Sequence, residues 1–107
     1  MKTVIVNDIE VKIGSNQLEN QQLIDEMAPD HSWFHIEDVP SAHLVIPVSY
    51  LKLDSRTLYL IALELKKNSK YKKCNFISVI YTHKKSLKLT TTPGKVFVTG
   101  KINTIKV

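Results

Sequence analysis

The sequence predicts an α+β fold: a single compact domain over residues 1–107 with a mainly antiparallel β-sheet and two α-helices. Three observations predict this class. A length of 107 residues with 43% hydrophobic content suits one core. Several short runs are rich in β-branched and aromatic residues, and two other stretches place apolar residues at helical spacing. The elements follow in the order β-β-α-β-β-α-β-β-β.

The β-rich runs predict seven strands, which are bounded by residues that favour turns. They cover residues 3–6, 9–13, 33–36, 42–48, 76–82, 96–99 and 101–107. Asn7 and Asp8 tolerate the positive φ of a tight turn, so we expect the first two strands to form a hairpin. Residues 37–41 form a predicted bend between the third and fourth strands. Pro93 and Gly94 lie in the turn that leads into the sixth strand.

Two helices are predicted from their start signals and apolar periodicity. Asn16 with Glu19 three residues later is typical of a helix start, and Pro29 ends this first helix. Asp54 or Ser55 can cap the second helix. Its apolar residues recur at helical spacing and form one buried stripe, which consists of Leu58, Ile61, Ala62 and Leu65.

Charge is distributed unevenly along the chain. Residues 1–50 contain eight acidic residues and two lysines, a net charge of −6, whereas residues 51–107 contain two acidic and thirteen basic residues, a net charge of +11. Eleven lysines and no acidic residue follow Glu64. We therefore expect a positive surface that attracts polyanions such as nucleic acid or anionic lipid. Arg56 is the only arginine, and lysine suits phosphates better than base edges, so sequence-specific base reading is disfavoured.

Two basic loops, residues 68–75 and 83–88, flank the ends of the strand predicted at residues 76–82. A strand of this length spans about 20 Å, a suitable distance between two phosphate contacts on an RNA backbone. Tyr71 is a candidate for stacking on an unpaired base. The alternative is that the loops are independent and merely solvated. The candidate nucleic-acid-binding residues in the loops are Ser69, Lys70, Tyr71, Lys72, Lys73, Lys84, Lys85 and Lys88.

The segment from Trp33 to His43 combines aromatic residues, histidines, acids and a proline in a bend. We expect the bend to bring both imidazoles to one end of the sheet. His35, Asp38 and His43 are therefore further nucleic-acid-binding candidates, or a group that handles protons. The alternative is a structural role, in which each ring hydrogen-bonds to the backbone or to Asp38. We expect Trp33 in the core rather than stacked on a base.

Metal binding and catalysis receive little support from the sequence. A zinc site would have to combine His31, His35 and His43 with Asp30 or Cys74 as a fourth ligand. His31 and His35 have the spacing of a helical ligand pair, but they fall across a strand start, where residues four apart lie about 13 Å apart. No nucleophile with an oxyanion-type turn accompanies the histidines. We therefore expect no metal, no cofactor and no catalytic residue.

The expected location is the cytoplasm. No apolar run approaches the roughly 20 residues that a membrane span needs. No secretory signal is visible at the N-terminus. The single cysteine excludes an internal disulfide framework. These features favour a soluble protein that makes no membrane contact.

An ordered set of short motifs resembles a known family. The motifs are Gly14-x-Asn16 with Asn20 and Leu23, Trp33-Phe34-His35, Asp38-x-Pro40-x-x-His43, Ser69-Lys70, Val79-x-Tyr81-Thr82, Lys85 with Lys88, and Pro93-Gly94. In these residues the chain resembles the NFACT-R domain, the RNA-binding module of the NEMF and RqcH ribosome quality-control proteins and of small eukaryotic relatives with a coiled-coil tail. The resemblance implies binding of structured RNA, either tRNA or ribosomal RNA, with DNA and the ribosome as further partners.

Two other functions remain open at this point. The acidic first half could dock on a ribosomal or other protein surface, which would make the protein an adaptor. His35, Asp38 and His43 could form the centre of a small RNA-processing or RNA-modifying enzyme.

Overall fold

A six-stranded antiparallel sheet forms the centre of the molecule, which a computed structural model describes over residues 1–107. The strands are β1 (Lys2–Val6), β2 (Ile9–Ile13), β3 (Ser32–Ile36), β4 (Leu44–Ile46), β5 (Ser78–His83), β6 (Leu87–Leu89), β7 (Val96–Val98) and β8 (Asn103–Lys106). The helices are α1 (Gln17–Asp25) and α2 (Ser55–Lys67), with 3₁₀ turns at Tyr50–Lys52 and Lys84–Ser86. The predicted α+β class with two helices is confirmed.

The order of strands in the large sheet is β1-β2-β4-β3-β5-β8, and every neighbouring pair is antiparallel. The predicted β1–β2 hairpin is confirmed. Its two turn residues, Asn7 at φ 47° and Asp8 at φ 67°, have the positive φ that a two-residue hairpin turn requires. Strands β6 and β7 pair separately as a two-stranded sheet.

One face of the sheet packs against α2. Phe34, Leu44 and Val79 from the sheet and Ile61 and Leu65 from the helix are fully buried in this cluster. Burying a side chain of this size stabilises the fold by about 1.5–3 kcal/mol. The predicted apolar stripe of α2 therefore fixes the helix on this face.

The opposite face packs against α1 and the β6–β7 hairpin. Leu23, Ile24 and Met27 from the α1 region bury Trp33 and Val45 of the sheet. Partly buried residues of the hairpin and of β5 complete this second cluster, namely Ile80, Leu87, Val96 and Val98. Alternation along β3 separates the clusters, because successive side chains point to opposite faces. Trp33 is 3% exposed, so its predicted place in the core is confirmed.

Several predicted boundaries were wrong. The strand predicted at residues 76–82 begins at Ser78, because Phe76 has a left-handed φ of 58° that breaks the extended chain. The strand predicted at residues 42–48 covers only Leu44–Ile46. The second basic loop is not a loop throughout: it contains the 3₁₀ turn and the start of β6, an eighth strand that is too short to stand out among lysines.

Neither helix has the length and apolar character needed to cross a membrane.

Candidate nucleic-acid interface

The bend after β3 brings the two histidines together, as expected. The register that pairs Phe34 with Leu44 puts His35 opposite His43, the residue before β4. The two imidazoles lie 5.1 Å apart between ring centroids and meet edge to face. Trp33 lies on the same side of β3, and its ring stacks on His35 with centroids 5.5 Å apart and planes 7° from parallel. Three aromatic rings thus form one cluster beneath the bend.

A hydrogen bond defines the protonation of His43. Trp33 donates from Nε1 to Nδ1 of His43 at 3.1 Å, so Nδ1 must carry a lone pair and the proton of the neutral ring sits on Nε2. Burial, together with the smaller effect of the neighbouring His35, lowers the pKa of His43 to about 4. Burial also lowers the pKa of His35. The pair is therefore neutral at neutral pH.

Helix α1 holds the backbone of His43 in place. Asn20 accepts a hydrogen bond from the backbone N–H of His43 at 3.2 Å through Oδ1. Gly14 allows this approach, because a Cβ at that position would lie 2.2 Å from the same oxygen. Sequence reasoning gave Asn20 no role at the site, since the contact joins residues 23 positions apart.

A cavity of about 470 Å³ opens beside the three rings. The sheet and α1 form one side of the cavity, and the turn before β7 forms the other side. Its lining residues are Gln17, Asn20, Trp33, His35, Pro40, Ser41, His43, Ile80, Thr92, Pro93, Gly94, Lys95, Val96 and Val98. We call this space the histidine cavity.

The first basic loop lies on the other side of the same bend. A second cavity of about 420 Å³ shares Pro40 and Ser41 with the histidine cavity. It is also lined by Lys2 near the N-terminus and by Ser69, Lys70 and Tyr71 of the first basic loop. The bend therefore separates a cavity with neutral rings from one with lysines.

The side chains of the first loop have different roles. Lys70, Lys72 and Lys73 are exposed. Tyr71 is half-buried against the α2 cluster, with the Lys70 Nζ 5.6 Å from the centre of its ring. Ser69 accepts from the backbone N–H of Tyr71 and donates to the carbonyl of Lys66, which fixes the start of the loop.

The second basic segment lies at the opposite end of β5. The register pairs Ser32 with His83 at one end of β3 and Ile36 with Val79 at the other, so Lys84 and the bend lie at opposite ends of the strand pair. Six residues of strand separate the two basic segments by about 20 Å. The Nζ of Lys84 donates to the carbonyl of Met27 at 3.1 Å.

Two exposed aromatic residues accompany the lysines, and sequence reasoning assigned neither of them to the site. Phe76 is 78% exposed beside the first loop. Phe97 is 60% exposed on β7, where it is paired across the hairpin with the exposed Lys88. The alternation of Val96, Phe97 and Val98 could have indicated an outward phenylalanine, whereas the left-handed φ of Phe76 has no sequence signal.

The lysines that follow α2 are free of acidic partners. The three ion pairs of the structure join the N-terminal amine to Glu19, Lys12 to Glu10, and Lys67 to Glu64. None involves a lysine after Lys67. In the large sheet, β1 to β4 of the first half of the chain are contiguous, and β5 and β8 of the second half complete the other edge.

The structure gives the three histidines no metal-site geometry. His31 accepts a hydrogen bond through Nδ1 from the backbone N–H of Ala28 at 3.1 Å. No three residues among histidine, cysteine and the acids come together. Asp38 is exposed at φ 62° in the bend, and the bond that orients His43 comes from Trp33 instead.

Comparison with known proteins places these features in context. The family model described as "NFACT protein RNA binding domain" matches residues 4–106. The chain is also similar to a solved structure of the C-terminal part of the fibronectin/fibrinogen-binding protein from Streptococcus suis, with 25% sequence identity and a TM-score of 0.87. This similarity covers 98% of the present chain and 43% of that chain, so the present chain spans less than half of the relative. No curated protein matches the sequence.

Proposed function

Because the chain belongs to the NFACT protein RNA-binding domain family, we propose that it binds structured RNA, either tRNA or ribosomal RNA, through its lysine-rich face. Nucleic-acid binding is the activity that the family supports. The proposed face is called the lysine surface, with His35, Asp38 and His43 at one edge. Its other members are Ser69, Lys70, Tyr71, Lys72, Lys73, Lys84, Lys85 and Lys88.

The observation that carries the proposal is the absence of acidic partners for the lysines after Lys67. A lysine without an acidic partner keeps its charge available for a phosphate, and binding then releases the condensed counterions of the nucleic acid. The exposed rings of Phe76 and Phe97 add surfaces on which unpaired bases can stack.

The proposal predicts a steep dependence of affinity on salt. If about four to six phosphates are contacted, the binding constant falls by about one log unit per log unit of salt for each contact. Fluorescence anisotropy with labelled tRNA, from low to physiological salt, measures this slope. A flat salt dependence, or no binding at low salt, would contradict the proposal.

Matched double variants locate the surface. Lys72→Gln/Lys73→Gln removes two exposed charges of the first basic loop, and we expect it to reduce the salt slope by about two. Lys52→Gln/Arg56→Gln removes the same charge at the start of α2, which is about 20 Å from the end of that helix. The control should lose less of the salt slope than the loop variant, because it lies far from the first basic loop, although Tyr50 of the same 3₁₀ turn stacks on His83 beside the second basic segment. Equal losses in both variants would indicate unspecific attraction to net charge.

We also propose that the protein acts in the cytoplasm, where it takes part in translation and in ribosome-associated quality control. Sucrose-gradient sedimentation of cytoplasmic extracts tests it, since a ribosome-bound protein moves with the ribosomal fractions. Nuclease treatment then separates RNA binding from protein docking. Loss of sedimentation after nuclease supports RNA contact, whereas retention would favour an adaptor that docks through its acidic half.

A further inference from the structure

We propose that the histidine cavity binds one unpaired nucleobase of the RNA, with His43 as a hydrogen-bond donor to the base edge. This inference rests on the proposed function, which concerns phosphate contacts on the lysine surface. It adds a second kind of contact, to a base, at a site formed by β3, α1 and the turn before β7.

His43 has one hydrogen-bond donor, the N–H at Nε2, that is free to contact a ligand. The residue is 5% exposed, and its Nδ1 is occupied by the indole N–H of Trp33. Its Nε2 makes no hydrogen bond within the protein. Every buried side-chain nitrogen and oxygen does have a hydrogen-bond partner, so Nε2 is not one of the buried atoms and is accessible. His43 lines the histidine cavity and neither of the other two cavities, so we assign this N–H to the histidine cavity. A buried ring with one free donor is a suitable group for a carbonyl oxygen or ring nitrogen of a base.

The walls of the histidine cavity have a suitable shape and character. The volume of about 470 Å³ falls within the roughly 300–1,000 Å³ of small-ligand pockets. The stacked rings of Trp33 and His35 and the ring of Pro93 give flat or apolar surfaces, while Asn20 and His43 supply polar groups. Apolar walls with a few convergent polar atoms are typical of sites for planar heterocycles.

The neutral charge of the two histidine rings favours a base over a phosphate as the group bound inside the cavity. The bond from Trp33 requires a lone pair on Nδ1 of His43, so the ring is not an imidazolium in this arrangement. A neutral pair of rings gives a phosphate no charge partner. Lys95, which is exposed and also lines the cavity, can contact the phosphate of the bound nucleotide at the entrance. Bases that remain paired in a helix cannot enter, so the ligand is an unpaired nucleotide of a loop or bulge.

The chain contains a direct probe of this site. Trp33 is the only tryptophan, so intrinsic tryptophan fluorescence reports on the cavity alone. The test compares an RNA hairpin that has unpaired uridines in its loop with the same hairpin carrying abasic loop nucleotides. The two probes have equal numbers of phosphates. We expect the uridine loop to change the Trp33 fluorescence and to bind about 10-fold more tightly, the effect of one lost base contact.

Matched variants at the entrance complete the test. Thr92 is exposed and lines the cavity, whereas its neighbour Thr91 is exposed outside it. Thr92→Tyr should fill the entrance and abolish the preference for the uridine loop, while Thr91→Tyr should keep it. His35→Ala, which removes one wall from a half-buried position, should also reduce the preference.

Each outcome has a defined consequence. Equal affinity for both hairpins, with unchanged Trp33 fluorescence, would overturn the base site and leave the phosphate-binding function intact. A preference that survives in Thr92→Tyr would also overturn it, because the base would then be bound elsewhere. Failure to bind either hairpin at low salt would instead overturn the proposed function itself.

Discussion

At the scale of single residues, His43 shows how burial and one hydrogen bond determine charge. Imidazole normally titrates near pH 6.5. Here the ring is enclosed, its Nδ1 is occupied by the Trp33 N–H, and its pKa falls to about 4. The ring therefore stays neutral over the whole pH range in which an exposed histidine would change its charge.

The first prediction concerns the pH dependence of stability. Because the folded-state pKa of His43 lies below its unfolded value of 6.5, the unfolded state binds the proton first. The contribution of His43 is complete above pH 6.5 and is lost as the pH falls towards 4, by at most about 3 kcal/mol. His43→Gln, which keeps an acceptor for Trp33, should flatten the dependence measured by urea unfolding between pH 7 and 5. Part of the pH dependence should remain in this variant, because the pKa values of His35 and His83 are also lowered.

A destabilised variant that keeps the histidine provides the control for this prediction. Val45→Ala removes methyl groups from the apolar cluster that contains Trp33, and it removes no titratable group. It should lower the free energy of unfolding equally at all pH values. If His43→Gln and Val45→Ala retained the same pH slope, another group would be responsible. His35 from β3 and Lys95 from the turn before β7 are the other titratable groups that line this cavity.

Residue patterns in the sequence predicted part of this site. The bend between two histidines was sufficient to predict that both imidazoles lie at one end of the sheet, whereas their edge-to-face contact is visible only in the structure. The partner of His43 was not predictable, because the bond depends on which face of β3 carries Trp33. The position of Asp38 was not predictable either. It is close to both histidines in sequence, but it adopts a left-handed φ in an exposed turn.

At the scale of secondary-structure elements, helix starts were the most predictable feature. Asp54 begins α2 by accepting the backbone N–H of Thr57 at 2.7 Å through Oδ1. Asn16 begins α1 in the same way, by accepting from the N–H of Glu19 at 2.9 Å. A local side chain satisfies a local donor in both cases, so three residues of sequence contain the whole interaction.

The second prediction tests the cap of α2. Asp54→Ala leaves the N–H of Thr57 without its acceptor and should cost about 1 kcal/mol of unfolding free energy. Asp54→Asn keeps an acceptor oxygen and should lose much less. Urea unfolding of both variants measures the difference. Equal stability of Asp54→Ala and the wild type would show that the cap is not needed to start the helix.

The β6–β7 hairpin was harder to predict because it is attached by long-range contacts. Gly94 has φ of 76°, and its backbone N–H donates to Oε1 of Gln21 on α1 at 2.9 Å. A Cβ on Gly94 would lie 2.8 Å from the carbonyl oxygen of Gln17. A glycine in a turn is visible in the sequence, but its contact with a helix more than 70 residues away is not.

The third prediction follows from this contact. Gly94→Ala should cost at least about 1–2 kcal/mol, because an L side chain is strained at this φ and also collides with α1. The hairpin should loosen and expose Trp33, which acrylamide quenching of its fluorescence measures. Thr91→Ala, in the same turn but outside the contact, should leave quenching unchanged. Wild-type quenching in Gly94→Ala would contradict the proposed docking of the hairpin on α1.

At the scale of the whole molecule, the uneven charge of the sequence leaves the lysines after Lys67 without acidic partners. The acidic half supplies four contiguous strands, β1 to β4, and the basic half supplies β5 and β8 at the other edge. Lysines without acidic partners repel one another in the folded state. The uneven charge was predictable from the sequence, whereas which lysines lack an acidic partner depends on the fold.

The fourth prediction uses this repulsion to separate stability from binding. Salt screens like charges, so raising the ionic strength from low to physiological values should increase the Tm of the free protein. RNA binds only the folded state and should raise the Tm most at low salt, where its affinity is highest. The salt dependence of the Tm should therefore reverse its sign when saturating tRNA is present. Differential scanning fluorimetry with and without tRNA measures both slopes, and Lys72→Gln/Lys73→Gln should weaken both together. Two slopes of the same sign would mean that the unpaired lysines do not act as a phosphate-binding surface.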